Sequence, residues 1–411
     1  MKKSVLRSYA RLIARSGVNI QPGQEVFILA ELDQPEFVQM LVDECYKCKA
    51  KKVVVDWNYQ PLEKLHYRYR TLTTLGKLDN YEEARWQHYV DTIPCRIYLL
   101  SEDPDGLKGI NQTKMAKAQQ KRYPIIKPYR DAIENKYQWC IAAVPGKAWA
   151  KKLFPELRAS AAVEKLWENI LACSRVDEDP IAAWEAHNRD LHDRCAYLNS
   201  LHIEKLHYTS ANGTDFTVSL IPQAKWTGAR DVNYRNGVSF VPNMPTEEVF
   251  TSPMRGQAEG TLVATKPLSC AGQLVEDFTV TFKAGRVVSC QAKKGKEALE
   301  KMFAMDEGAS MLGEVALVPK ESPINQTGIL FYNTLFDENA CCHVAAGEGF
   351  NEVLDGFQEM TDEQILEKGV NDSIIHEDFM IGSEDLNIVG FRADGTSADI
   401  FINGTWAEGT I

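Results

Sequence analysis

The sequence predicts an α/β N-terminal domain, with a parallel sheet and flanking helices, followed by an α+β C-terminal domain rich in antiparallel strands. The first observation behind this prediction is length, because 411 residues at roughly 150 residues per domain give two or three folded units. The second is a change of pattern near residue 200, where alternating helices and strands give way mainly to strands. We therefore expect domains at residues 1–200, which include a helical linker, and 201–411.

Short apolar runs separated by helical stretches indicate parallel βαβ units in the first half. The runs are VFIL at 26–29, VVV at 53–55, RIYLL at 96–100 and WCIAAVP at 139–145. The stretch from Pro35 to Ala50 repeats apolar residues at helical spacing, as a crossover helix does. No GxGxxG follows the first strand, so the fingerprint of dinucleotide-binding folds is absent. Residues 156–199 are expected to be helical and to link the halves.

Strands with period-two alternation dominate the second half. They are IEKLHYTS, TDFTVSLI, VEDFTVTF and RVVSCQA, separated by turn dipeptides such as NG and AG. This arrangement is typical of antiparallel hairpins. One helix, KGKEALEKMFAM, interrupts the strands, and the terminal ADGTSADIFINGTW repeats the hairpin pattern. The second half is therefore expected to be an α+β domain.

Composition and charge exclude several classes of protein. Hydrophobic residues make up 44% and charged residues 25% of the chain, as in average globular proteins and unlike disordered or fibrous ones. The formal net charge of −11 disfavours nucleic acid and anionic membrane surfaces as partners. The opening MKKSVLRSYARLIARSGV has no apolar h-region and predicts an amphipathic helix, not a signal peptide. The ten cysteines are then expected to be reduced, buried thiols of a cytoplasmic protein.

Two segments of the second half place carboxylates beside apolar residues. In VPNMPTEEVFTSP the adjacent Glu247 and Glu248 run into an apolar strand, so one is expected to point outward and one inward. The alternative is that Thr246 and Glu248 cap a turn. In MLGEVALVP, Glu314 is a lone carboxylate among apolar residues, and if buried it must be paired, protonated or metal-bound. It is equally compatible with a strand start that reaches solvent.

Two further segments add imidazoles. Residues 333–350, NTLFDENACCHVAAGEGF, are expected to form a glycine-bearing loop that carries Glu338 and His343. In NDSIIHEDFMIGS, His376 and Asp378 are separated by one residue, so a strand would put both side chains on the same face. That spacing suits a pair of metal ligands, and it also suits a His–Asp hydrogen bond on a half-exposed sheet.

Together these segments supply four carboxylates and two imidazoles, a set that suits two divalent ions such as Zn, Mn or Co. Two metals about 3.5–4 Å apart can share a water molecule and lower its pKa. Spacing in the sequence does not by itself show that these side chains converge. The candidate ligands are Glu248, Glu314, Glu338, His343, His376 and Asp378.

The motifs N-x-PTEEVFT-x-P, LGEVALVP, E-x4-H and N-x-SxIHxDFMIGS, in this order, resemble the aminopeptidase T and aminopeptidase S family of dinuclear metallopeptidases. The likeness runs from about residue 8 to the final NGTW, nearly the whole chain. It implies that all six candidate ligands bind metal and that the C-terminal domain carries the site. It also implies a homodimer. The leading hypothesis is hydrolysis of the N-terminal bond of short peptides, with Glu314 as the expected proton shuttle.

One position departs from the family pattern, because Phe350 stands where the family often has a tyrosine credited with a catalytic role. A phenyl ring cannot donate to an oxyanion, and losing one such donor can cost about two to three orders of magnitude in rate. A competing hypothesis is therefore a ring-cleaving dioxygenase with a single Fe(II) on His343, His376 and either Glu248 or Asp378.

A thiol hydrolase and a non-catalytic protein are also compatible with the sequence. The thiol hydrolase would use Cys341 or Cys342 with a histidine, although His343 is too close in sequence to Cys342 to be a natural base for it. The non-catalytic protein would be a metal-binding module, and Phe350 is the only support for it.

Overall fold

The computed structural model describes residues 1–270 and 273–409 and divides the chain into two compact units. The first unit contains Met1–Ala186 and Arg230–Thr246. The second contains His187–Ala229 and the chain from Glu247 onward. Residues 230–246 therefore belong to the first unit although they follow a segment of the second. The domain boundary at residue 200 stays a prediction.

Up to residue 201 the chain alternates helices and strands. The helices are α1 (Lys3–Leu12), α2 (Pro35–Lys47), α3 (Gln60–Tyr69), α4 (Leu72–Leu75), α5 (Asn80–Thr92), α6 (Gln112–Ile133), α7 (Lys147–Leu153), α8 (Ala159–Cys173) and α9 (Pro180–Leu201). The strands are β1 (Glu25–Glu31), β2 (Lys52–Asn58), β3 (Cys95–Leu100) and β4 (Trp139–Ala143). All four apolar runs singled out in the sequence are therefore strands.

Strands dominate the rest of the chain. They are β5 (Lys205–Thr209), β6 (Asp215–Leu220), β7 (Thr227–Gly228), β8 (Asp231–Val232), β9 (Ser239–Phe240), β10 (Asn243–Met244), β11 (Val249–Thr251), β12 (Pro253–Val263), β13 (Leu268–Cys270), β14 (Gln273–Lys283), β15 (Arg286–Lys294), β16 (Leu312–Leu317), β17 (His343–Gly347), β18 (His376–Met380), β19 (Asn387–Phe391), β20 (Ser397–Ile402) and β21 (Thr405–Trp406). The helices are α10 (Lys296–Phe303), α11 (Pro323–Gln326), α12 (Thr334–Asp337) and α13 (Asp362–Lys368).

The first unit is built on a parallel sheet of five strands, in the order β10-β4-β3-β1-β2. Every neighbouring pair in it is parallel, so the predicted parallel sheet with helices is confirmed. The side chains of Val26, Ile28 and Ile97 are fully buried in it, as expected for central strands of a parallel sheet. The edge strand β10 comes from the returning segment, and no pattern in the sequence indicated it.

The second unit contains two antiparallel sheets. The larger has nine strands, in the order β13-β14-β12-β6-β5-β19-β20-β21, with β15 also paired to β14. The smaller has the order β18-β17-β16-β11-β7. The β14–β15 turn has positive φ at both Ala284 and Gly285, as a tight hairpin turn requires. The prediction that this half is rich in antiparallel strands is confirmed.

One hydrophobic core of the second unit joins its two sheets. On the smaller sheet Val315, Val344 and Phe379 lie opposite one another in register and are fully buried. Phe379 packs against Phe278 of the larger sheet, with 5.7 Å between the ring centroids. One face of the smaller sheet is therefore held by apolar packing, and alternation turns the neighbouring residues of its strands to the other face.

Two simpler expectations concern the cysteines and the membrane. All ten cysteines are free, and all but Cys48 are buried. No helix within the described residues is long and apolar enough to cross a membrane.

Candidate metal centre

The register of the smaller sheet puts four of the six candidate ligands on one face. Glu314 of β16 lies opposite Ala345 of β17, which in turn lies opposite Asp378 of β18. His343 and Ala345 are two residues apart on β17, and His376 and Asp378 are two apart on β18. Directly opposed residues share a face, and so do residues two apart on one strand. This face is the one that turns away from the hydrophobic core.

Small residues keep the centre of that face open. Ala345 lies between Glu314 and Asp378, and Gly347 lies opposite His376. Ala316 lies opposite His343 on the other neighbouring strand. A long side chain at any of these positions would occupy the space toward which the candidate ligands point. The alternation of ligand and small residue along β17 therefore shapes the site.

Glu248 reaches the same face from the adjoining strand β11. Glu248 lies two residues before Phe250, so in the extended chain the two side chains share a face. Phe250 pairs with Ala316 of β16. The carboxylate Oε2 of Glu248 lies 3.1 Å from His343 Nε2. The expectation that one glutamate of the pair points outward is wrong, because Glu247 and Glu248 are 7% and 6% exposed. Glu247 is held inside by a backbone hydrogen bond to Asn339 Oδ1, 2.7 Å long.

Glu338 is the sixth candidate ligand and lies in a 3-10 turn, Glu338–Ala340, just before β17. The side-chain amide of Asn339 donates a 3.3 Å hydrogen bond to Oε1 of Glu338. Burial raises the pKa of Glu338 well above its usual value, and the nearby charges of Asp378, Glu248 and Glu314 raise it further. Its carboxyl group therefore lies close enough to the other candidate ligands for their charges to act on it.

The ligand atoms fall into two overlapping groups. Glu248, Glu314 and His343 form one, and Glu314, His376 and Asp378 form the other, with all ligand atoms of a group within 4.8 Å of one another. Glu314 belongs to both groups. Within the second group, His376 Nε2 lies 3.1 Å from Glu314 Oε2 and 3.5 Å from Asp378 Oδ1. One shared carboxylate between two groups is the arrangement that a pair of neighbouring ions needs.

Backbone carbonyl groups orient both imidazoles. His343 Nδ1 lies 3.2 Å from the carbonyl oxygen of Cys341, and His376 Nδ1 lies 2.8 Å from that of Glu348. A ring nitrogen facing a carbonyl must carry the proton and donate it, so in each neutral ring Nε2 is left with its lone pair directed at the carboxylates. Metal-binding histidines are commonly oriented in this way.

Two polar atoms of the site fit a cation that the chain itself does not supply. His343 Nε2 and Asp378 Oδ1 are buried and make no hydrogen bond to any described residue. Glu248 Oε2 is near His343 Nε2 but lies outside hydrogen-bonding geometry. Buried polar atoms without partners are rare, and carboxylate and imidazole donors together suit divalent transition metals. The residues present therefore fit a metal ion.

Burial and the charges of the cluster shift the pKa values of three of its groups. Burial raises the pKa of Glu314 to about 7. Burial would lower the pKa of His343, but the adjacent Glu248 carboxylate raises it to about 9. Burial would raise the pKa of Asp378, but the charge of the adjacent His376 lowers it to about 2. Without metal, protons on the histidines thus balance part of the carboxylate charge.

Two expectations about the site need correction or extension. Residues 333–350 are not one loop, because they contain α12, the 3-10 turn and the buried strand β17, which starts at His343. The carbonyl groups of Cys341 and Glu348 and the buried side chain of Asn339 were not predicted. Backbone carbonyl groups carry no residue signal. The alternation of His343, Ala345 and Gly347 is the signal that could have indicated a strand.

Phe350 lies beside the site. Its ring centroid is 5.0 Å from that of the His376 imidazole and 4.7 Å from that of Phe250. The Ser252 hydroxyl accepts a 2.7 Å hydrogen bond from its backbone N–H, which fixes the start of this segment. The position where the resemblance places a tyrosine is thus in contact with the candidate ligand His376.

Comparison with known proteins gives one consistent result. The model of the thermophilic metalloprotease (M29) family matches residues 2–406. Aminopeptidase AmpS of Bacillus subtilis is 41% identical over 404 residues, with 98% of each chain covered. Aminopeptidase T of Thermus thermophilus is 38% identical over 406 residues, again with 98% of each chain covered.

Two solved structures are similar to this chain. The structure described as wild-type AmpT from Thermus thermophilus has a TM-score of 0.89 and 36% identity, and it covers 98% of this chain and 99% of its own. A 2,5-dihydroxypyridine dioxygenase from Pseudomonas putida has a TM-score of 0.50 and 12% identity, with 98% and 96% coverage. At that identity the likeness concerns the fold alone.

Substitution of Gly347 should damage the site through its backbone. Gly347 has a φ of +107°, and an added Cβ would lie 2.0 Å from the carbonyl oxygen of Ile375, the residue before His376. We expect Gly347→Ala to lower the free energy of unfolding by more than about 2 kcal/mol and to weaken metal binding, because His376 must move. Denaturant unfolding and metal titration measure the two effects.

Gly328→Ala is the matched control, since Gly328 also has a positive φ, +65°, but an added Cβ would meet nothing within 4 Å. It should cost only about 1–2 kcal/mol and leave metal binding unchanged. Equal effects of the two substitutions on metal affinity would contradict the close approach of Gly347 and Ile375.

Metal binding should release protons at pH 7. The pKa of His343 is raised to about 9 and that of His376 well above its usual value, so both rings carry a proton that a bound ion must displace. Metal affinity should therefore rise with pH. Calorimetric titration in two buffers of different ionisation enthalpy measures the number of protons released. Binding without net proton release would show that both rings are neutral in the metal-free protein, which contradicts their raised pKa values.

Proposed function

The chain belongs to the thermophilic metalloprotease (M29) family and is a metal-dependent aminopeptidase, and from this premise we propose that it removes N-terminal residues from short peptides at a dinuclear centre. The six proposed ligands are Glu248, Glu314, Glu338, His343, His376 and Asp378. The observation that carries this proposal is the pair of ligand groups that share Glu314. Zn, Co and Mn all suit this donor set.

The proposed division of ligands follows the two groups. Glu248 and His343 would hold one ion, His376 and Asp378 the other, and Glu314 would bridge them. When bound, such a pair of ions polarises the peptide carbonyl group and lowers the pKa of a water molecule. Glu338 supplies a further carboxylate, and the negative charges of the same cluster raise its pKa. The second unit would thus contain all of the ligands.

Glu314 is the residue best placed to handle the proton of the attacking water. It is 3% exposed and belongs to both ligand groups. It lies on β16, and the other face of this strand is packed in the hydrophobic core. Because Glu314 belongs to both groups, its carboxylate would lie beside a water molecule held by a pair of ions there and could accept a proton from it. We propose that Glu314 accepts the proton of the water and passes it to the leaving amine.

The surroundings of the cluster also suit the substrate class. The apolar rings of Phe250 and Phe350 lie at the edge of the cluster, so they offer contact to an apolar side chain of the substrate. Neither ring offers a hydrogen-bond donor, so stabilisation of an oxyanion falls to the other residues of the site.

Two broader properties belong to the proposal. The ten free cysteines, nearly all buried, support a reducing compartment such as the cytoplasm. The resemblance of the motifs supports a homodimer, and the acidic net charge of −11 supports neither nucleic acid nor anionic membrane as partner.

Glu314→Gln tests the proposed base. The amide keeps the shape of the side chain but cannot accept the proton, so turnover of a chromogenic aminoacyl substrate should fall at least about a hundredfold. The control is Glu377→Gln, because Glu377 lies on the same strand as His376 and Asp378 but opposite Ala346, on the other face. It should keep turnover within about threefold. Parental turnover by the Glu314 variant would contradict the assignment of this residue.

Metal content tests the dinuclear centre. Protein stripped with EDTA and reloaded with Zn or Co should approach two ions per chain by elemental analysis, because two ligand groups are present. Activity should return with Zn, Co or Mn. One ion per chain, with activity restored by Fe(II) alone, would instead support the mononuclear dioxygenase.

The oligomeric state is a separate prediction. Light scattering should give a mass near twice 46.3 kDa at micromolar concentration. A fully active monomer would contradict the proposed homodimer and leave the metal centre untouched.

A further inference from the structure

A cavity of about 360 Å³ lies over one face of the parallel sheet in the first unit. Strands β1, β2 and β3 form its floor, and helices α5 and α6 form its walls. Leu29 on the central strand lies in register with Asp56 on one side and Tyr98 on the other. Its side chain is nevertheless 45% exposed, which is unusual for a central strand of a parallel sheet. The helices therefore leave this part of the floor uncovered.

Three arginines line the cavity, and two of them are neutralised. Arg85 donates to Asp56 over 2.9 Å, and Arg122 donates to Glu82 over 2.6 Å. Both carboxylates also line the cavity. These two pairs leave the charge of the cavity to the third arginine, Arg96.

Arg96 is surrounded by aromatic rings. Its guanidinium carbon lies 4.8 Å from the ring centroid of Tyr89, 5.2 Å from that of Tyr98 and 5.7 Å from that of Trp86. Tyr137, at 5.9 Å, is also a hydrogen-bonding partner. Among the residues that the structure describes, no carboxylate forms an ion pair with Arg96. Arg96 is partly buried, so water screens its charge incompletely, and an anion from solution would stabilise it.

We propose that this cavity binds a small aromatic monocarboxylate, with the carboxylate on Arg96 and the aromatic ring on the apolar floor. Three arginines and two carboxylates leave one positive charge, which matches a monoanion better than a phosphate dianion. The exposed Leu29 and the rings of Trp86 and Tyr81 provide flat apolar surface for a ring. The volume lies within the range of small-molecule sites. A free aromatic amino acid and the carboxyl end of a short peptide share this chemistry.

Binding can be measured by calorimetry on the metal-loaded protein with phenylacetate as the probe. Benzyl alcohol has a similar ring but no charge and should bind at least about tenfold more weakly, because the charge-assisted hydrogen bond to Arg96 is missing. Free phenylalanine and an N-acetylated dipeptide ending in phenylalanine distinguish the two sources of the carboxylate, because the acetylated peptide lacks the free N-terminus that an aminopeptidase requires.

Three variants locate the site. Arg96→Met should weaken phenylacetate binding about tenfold or more, and Arg96→Lys should weaken it less. Tyr81→Ala, at a position 71% exposed, removes part of the apolar wall without affecting the core and should also weaken binding. Glu314→Gln should not change it, since Glu314 belongs to the other unit. Binding that depends on Glu314 and not on Arg96 would place the carboxylate at the metal centre and overturn the proposal.

A charge exchange provides a gain of binding. Asp56→Asn removes the partner of Arg85, so the cavity would carry two uncompensated positive charges. Phenyl phosphate should then bind about tenfold more tightly than it binds the parent. If Asp56→Asn changes neither phenylacetate nor phenyl phosphate binding, and Arg96→Met binds phenylacetate like the parent, the cavity is not an anion site. Failure here would leave the proposed hydrolysis unaffected.

Discussion

Repulsion among buried carboxylates is the constraint on which the second unit depends. Glu248, Glu314 and Asp378 are at most 6% exposed, and Glu338 senses the charge of all three. Such a cluster is costly unless cations or protons balance it. Without metal, protons on the two histidines supply part of that balance, and bound ions would replace them. The cluster of buried carboxylates therefore destabilises the fold, and the same cluster favours the binding of divalent cations.

The two faces of the smaller sheet divide the work of holding this cluster. Val315, Val344 and Phe379 anchor one face in the hydrophobic core, so the strands cannot easily slide or rotate. The opposite face carries the ligands with small residues between them. Carbonyl groups of the neighbouring backbone then fix each imidazole ring. Rigid strands thus preset distances that a loop would leave variable, and catalysis depends on such preset geometry.

The sequence predicted the two patterns of secondary structure, which the structure confirms, and six candidate ligands, which stay a prediction. Alternating apolar residues indicated the strands of both halves, because burial of one face imposes that period. The six ligands were predicted from the order of four motifs, because spacing in the sequence alone does not show that their side chains converge. The strand β10 was beyond prediction because two residues of extended chain leave no periodic signal. Helix α6 continues through Pro124 and Pro128, positions that ordinarily indicate a helix end. The carbonyl groups that orient His343 and His376 depend on tertiary contacts.

Occupation of the open face above Ala345 by two ions is the central claim. Anomalous X-ray scattering from crystals of cobalt-loaded protein, recorded at the cobalt edge, tests it most directly. We predict two peaks about 3.5–4 Å apart, one beside Glu248 and His343 and the other beside His376 and Asp378, with Glu314 between them. A single peak held by the two histidines, or peaks away from Glu314, would contradict it.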